Sequence, residues 1–95
     1  MIYIINPPDM TVRPALIVSS NLAFPIYDEP WGASYPITNW RKAGLTRPSS
    51  IVMSQPLNRF KVRRRIGTLD VEDRHRFRRA VTLFRPALRA EMTVL

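Results

Sequence analysis

The hydrophobic period of this chain changes once, between Gly67 and Asp70. Ahead of that point the apolar residues come in short β-branched runs cut by prolines, a pattern that forms strands and cannot sustain a long helix. "MIYIIN" (1–6) reads as a strand, ended by Pro7-Pro8-Asp9. "RPALIVSS" (13–20) is the next, with Leu16, Ile17 and Val18 in an unbroken run that implies cover on both faces. Asn21 to Ala33, with two prolines and a glycine, reads as a long loop holding a short strand around Phe24–Tyr27. Residues 34–38 give a weak strand, and "PSSIVMS" (48–54) a further one. In "RFKVRRRIG" (59–67) alternation puts Phe60, Val62 and Arg64 on one face and Lys61, Arg63 and Arg65 on the other. Beyond Gly67 the spacing becomes helical. Asp70 is the expected N-cap, Asp73 the far member of a capping box, and Phe77, Val81, Phe84 and Leu88 one apolar stripe. Pro86 ends or kinks the helix, leaving 87–95 as a short second helix or a closing strand. The implied fold is mainly β with one C-terminal helix, a small bent sheet or barrel against which the helix packs.

Ninety-five residues suit a single domain, 1–95, with a modest core. The absence of cysteine removes disulfides, thiolate catalysis and cysteine-ligated zinc. No apolar run approaches a membrane span, so the expectation is a soluble, cytoplasmic protein with no membrane partner. Fifteen Lys and Arg against seven Asp and Glu give a net charge of +8, most of it after residue 40. That balance suits a polyanion, through phosphate neutralisation and counterion release; an acidic protein partner is the other reading.

Three groups of residues offer chemistry. In "SYPITNWRKAG" (34–44), Thr38 supplies a hydroxyl, Trp40 a stacking surface, and Arg41-Lys42 a cationic pair beside Asn39. Alternatively Thr38 satisfies a strand end and Trp40 plugs the core. Arg59, Lys61, Arg63 and Arg65 form a phosphate track, or equally an edge strand guarded by charge. Asp28 and Glu29 are the loop carboxylates open to general-base work. His75 lies among arginines on the helix and reads as a surface residue.

"RPALIV" (13–18), "PIT" (36–38), "GLTRPSSIV" (44–52) and "RRRIGTLDVEDRHRFRRAV" (63–81) stand in an order that resembles the MazF/PemK-like toxins. The resemblance spans about residues 13 to 84. It implies a small SH3-like barrel of MazF/CcdB type, usually dimeric. It further implies a toxin of a type II toxin–antitoxin system: an endoribonuclease that cuts single-stranded RNA without metal or cofactor and is masked by an acidic antitoxin. Cleavage in the family proceeds by attack of the RNA 2′-hydroxyl and leaves a cyclic phosphate. By this resemblance Thr38 holds a phosphate oxygen and Arg41 replaces the family's loop arginine. Read from the residues themselves, Asp28 or Glu29 is the base, and Asn39, Trp40, Lys42, Ser54, Gln55, Arg59, Lys61, Arg63 and Arg65 contact RNA. Val52 and Ser54 stand where PemK-like members carry a catalytic Arg and Asp. The alternative is a non-catalytic basic barrel that binds nucleic acid or a protein target, as CcdB-like relatives bind gyrase, or that serves as a structural component of an assembly.

Overall fold

The computed structural model describes residues 1–7 and 11–94. Six strands form one antiparallel sheet in the order β4-β5-β3-β2-β1-β6. They are β1 (Ile2–Asn6), β2 (Arg13–Ser19), β3 (Leu22–Tyr27), β4 (Ser34–Pro36), β5 (Ser50–Val52) and β6 (Lys61–Gly67). Helix α1 (Val71–Phe84) follows, and a 3-10 tail (Pro86–Val94) closes the chain.

The 21–33 segment departs most from expectation. It is not one long loop: Leu22–Tyr27 is a full central strand, hairpinned to β2 through Ser20-Asn21, and five of its six residues are buried. Pro25 masked this in the sequence, since proline cannot donate to a ladder. Its place is just ahead of the β5 ladder, which starts at Ile26.

Two edge strands remain, β4 and β6. Residues 37–44 leave β4 and cross to the far edge. A Cβ placed on Gly44 would lie 2.1 Å from the Ile66 carbonyl oxygen, so the two backbones touch and the sheet curls around its contents. Inside lie Ile2, Leu16, Phe24, Ile26, Ile37, Ala43 and Ile51, capped by Phe77 and Val81 of α1 and Met92 of the tail. Phe77 is central, with its ring edge-on to Phe24 at 5.3 Å and to Tyr35 at 6.1 Å.

β6 breaks strict alternation. Its register against β1 pairs Val62 with Ile5 but Arg64 with Ile4, and Arg65 with Tyr3 but Gly67 with Ile2. Each skip is a bulge on β6, and a bulge re-aims the side chains beyond it. Arg64 stands exposed rather than inward, as does every residue from Lys61 to Arg65, Val62 included at 53%. On α1 the stripe is shorter than its spacing implies. Phe77 and Val81 are buried, whereas Phe84 is 43% exposed in the single chain. The 87–95 segment resolves as helix rather than strand over its described part.

Candidate functional site

Residues 38–44 are a single helical turn. Gly44 N–H donates to the Arg41 carbonyl and Leu45 N–H to the Trp40 carbonyl, the paired bonds of a Schellman ending. That ending needs a left-handed residue, and Gly44 supplies φ of 87°. The start of the turn is capped from α1. Asp73, fully buried, accepts hydrogen bonds from Thr38 N at 2.9 Å, Asn39 N at 2.9 Å and Tyr35 Oη at 2.6 Å. Asp73 is thus not the far half of a capping box on its own helix; it caps the turn across from it. Burial pushes its carboxyl up, but the bonds from Tyr35, Asn39 and Thr38 outweigh that and hold it below the ordinary carboxylate value. The Tyr35 phenol rises to about 12, by burial first and by its bond to Asp73 second. Asp70 caps α1 through Glu72 N and also receives Asn39 Nδ2 at 3.1 Å, with Lys42 Nζ 3.8 Å away.

This anchoring bears on the residues expected to touch RNA. Asn39 and Lys42 are engaged by Asp70, and Trp40 packs in part on the core with the Arg41 guanidinium 4.7 Å over its ring. Thr38, Asn39, Trp40, Arg41 and Lys42 line a shallow recess of about 150 Å³. Asp28 and Glu29 do not line it. Asp28, which follows β3 whereas Thr38 follows β4, instead lines a recess with Arg13, Tyr27 and Arg47. Ser54 Oγ is buried beneath Gly32, where an added Cβ would approach it to 2.7 Å, and it has no hydrogen-bond partner among the described residues, so it is unpaired but not open to a ligand. Gln55, Arg59, Lys61, Arg63 and Arg65 are exposed, and Arg65 Nη2 donates to Thr68 Oγ1 at 2.6 Å. Of these, Arg59 and Lys61 line a separate recess with Asn6, Pro7, Ser20, Asn58 and Phe60.

A different constellation sits at the open end of β2 and β3. The Arg13 guanidinium lies 3.7 Å over the Tyr27 ring and donates through Nη1 to the Ile26 carbonyl at 3.2 Å. Its Nε is buried with no acceptor among the described residues. Asp28 is held by Arg47 at 2.8 Å, and that bond keeps its carboxyl below the ordinary value. These residues line a cavity of about 200 Å³ with Thr46 and Ser49. Pro14, Leu45 and Thr46 also line the next cavity, of about 500 Å³, together with Arg64 and Arg65. Because the two linings share residues the cavities adjoin, and the groove they form is lined by Arg13, Arg47, Arg64, Arg65 and Asp28. Arg13 was read from sequence only as the start of a strand, and Arg47 only as part of a motif. The usable signal was their place at a strand end and beside a proline-bounded turn, where polar side chains collect.

Among the described residues no group of His, Cys, Asp and Glu is placed to hold a metal ion. Among the described residues no helix is long and apolar enough to cross a membrane. His75 is exposed on α1, beside a recess lined also by Val71, Arg74 and Arg78.

No protein-family profile matches the chain, and no curated protein matches it in sequence. A solved structure does: the toxin MazF-mt6 of Mycobacterium tuberculosis, at 21% identity and a TM-score of 0.68, over 86% of this chain and 92% of that one. The chain therefore has the fold of a MazF-type toxin, a six-stranded antiparallel sheet followed by one C-terminal α-helix.

Proposed function

We propose that this protein is the toxin of a type II toxin–antitoxin pair and cuts single-stranded RNA without a metal. The observation that carries the reading is the arginine groove, Arg13, Arg47, Arg64 and Arg65, on a fold shared with a MazF toxin. An RNA backbone lying there meets four cations and a single carboxylate.

The chemistry follows from that carboxylate and its neighbours. The RNA 2′-oxygen attacks the adjacent phosphorus, the bond to the 5′-oxygen breaks, and a cyclic phosphate remains. Asp28 takes the 2′-hydroxyl proton, and the departing 5′-oxygen is protonated from solvent. Arg13 and Arg47 hold the charge that develops on the phosphorane. Bonded to Arg47, Asp28 is ionised but a weak base. A phosphate that competes for Arg47 loosens that bond and makes the carboxylate more basic at the moment substrate binds. In this reading Thr38 and Arg41 flank the groove and steer RNA rather than touch the reacting phosphate, and Glu29 has no catalytic part. The partners are RNA, an acidic antitoxin that covers the groove, and a second copy of the chain, in the cytoplasm.

One observation favours the second reading, a barrel that binds nucleic acid without cutting it: Asp28 is exposed and its carboxyl is already drawn down by Arg47. Incubation with a long single-stranded RNA in EDTA separates the two. Discrete fragments ending in cyclic phosphate, lost in Arg13→Ala and Arg47→Ala, are expected for the groove. Fragments that vanish only in Thr38→Ala and Arg41→Ala would move the reaction to the recess. Tight, salt-sensitive binding without fragments leaves the binding module.

A further inference from the structure

Trp31 is the exposed aromatic that nothing above uses. It is 40% exposed, and it stands edge-on to Tyr27 with ring centres 5.8 Å apart. Tyr27 in turn carries the Arg13 guanidinium at 3.7 Å. Those two spans bound the separation of the indole from the guanidinium at about 9.5 Å. Arg13, Tyr27 and Trp31 thus form a graded series from the cationic groove to open solvent.

The loop that carries Trp31 is held at its far end, where Met53 N–H donates to the Ala33 carbonyl at 2.8 Å. Gly32, at φ of 65°, presses the chain onto Ser54, in a conformation and at a distance that side-chain-bearing residues rarely adopt. An apolar ring held outward by a fixed loop loses little freedom when a partner covers it, which is the condition for a binding platform.

Resting on the RNA reading above, we infer that Trp31 is a base-stacking subsite: an unpaired nucleobase lies on its indole while a neighbouring phosphate of the same strand is held by Arg13. Every base has a π-face, so the subsite selects unpaired nucleic acid over duplex rather than one base over another. Duplex RNA is excluded because its bases are already stacked on each other.

The test reads binding without cleavage. A mixed-sequence oligoribonucleotide with 2′-O-methyl groups cannot be cut, since its attacking oxygen is blocked. The chain has two tryptophans, so Trp40→Phe leaves Trp31 as the sole reporter. On titration, fluorescence of Trp40→Phe is expected to be quenched by the single strand and not by the same strand annealed to its complement. By anisotropy of labelled oligonucleotide, Trp31→Ala weakens binding about five- to hundredfold and Trp31→Phe restores most of it. Wild type against Trp31→Phe gives the same fluorescence comparison without altering Trp40. If the oligonucleotide binds by anisotropy while Trp31 emission stays unchanged, or if Trp31→Ala binds like wild type, the subsite falls and the groove stands. Absence of binding overturns both. Quenching that follows protein concentration without RNA makes Trp31 a contact between copies and overturns the inference.

Discussion

Replacing Asp73 with Asn tests whether one carboxylate holds the 38–44 turn to α1. The side chain is fully buried and accepts from two backbone amides and a phenol. An Asn of nearly the same shape keeps one acceptor oxygen and turns an NH2 group toward donors. At least one of the three donors then loses its partner inside the protein, and the remaining bonds lose their ionic character. A bond to a charged group contributes about 1.5–3 kcal/mol, and a stranded buried donor costs about 1–3 kcal/mol. These do not add in one network, so the expected loss is about 3–4 kcal/mol, in the range for breaking a buried charged cluster. Against a total of about 5–10 kcal/mol for a chain of this size, that is a third or more of the stability. Urea denaturation followed by circular dichroism measures it, with a lowered midpoint and an unchanged slope expected. Tyr35→Phe alone should cost about 1 kcal/mol, and in the Asp73→Asn background less, because the bond it removes is already weakened. The pH profile carries the same sign. The Asp73 carboxyl is depressed in the folded state, so its stabilisation is present above the ordinary carboxylate range and is lost as the pH falls through the folded value. An Asp73→Asn unfolding free energy within about 0.5 kcal/mol of wild type, or an acid limb identical in the two proteins, would refute the reasoning.

Two further outcomes follow from the same geometry. Gly44→Ala puts a methyl group 2.1 Å from the Ile66 carbonyl and forces alanine to φ of 87°, so a loss of about 2–5 kcal/mol is expected by the same urea titration; a loss under 1 kcal/mol would mean that the turn and β6 do not touch. In alkali the sign reverses. Tyr35 has its folded value raised from 10.0 to about 12, so the stability it contributes is intact below 10 and fades as the pH climbs toward 12, a decline that Tyr35→Phe should flatten.

Much of the architecture was legible along the chain because it rests on local rules. The period change after Gly67, the cap at Asp70 and the stop at Pro86 are short-range effects, and they place α1 within a residue of its observed ends. The apolar runs around Ile4, Ile17 and Ile51 mark strands for the same reason. What failed was decided by neighbours distant in sequence. Pro25 hid a central strand because its cost depends on which partner lies beside it. Arg64 is exposed because β6 pairs only with β1 and ends the sheet, an edge on which every residue from Lys61 to Arg65 is exposed. Asp73 was read as a partner for its own helix, three residues from the cap. The carboxylate instead found two free amides on a turn more than thirty residues away.

The candidate site divides along the same line. Composition alone determined that this is a basic chain suited to a polyanion, and the order of its motifs pointed to the toxin fold it shares with MazF-mt6. Only the tertiary structure assembled Arg13, Asp28, Arg47 and Arg64 into one groove, from β2, the loop after β3, the turn before β5, and β6. Thr38 and Arg41 line a different recess from the one that Asp28 lines. A charge is a property of a residue and can be counted along a sequence. A groove is a property of distances between chain segments, and those appear only when the sheet curls and the 37–44 segment reaches its far edge.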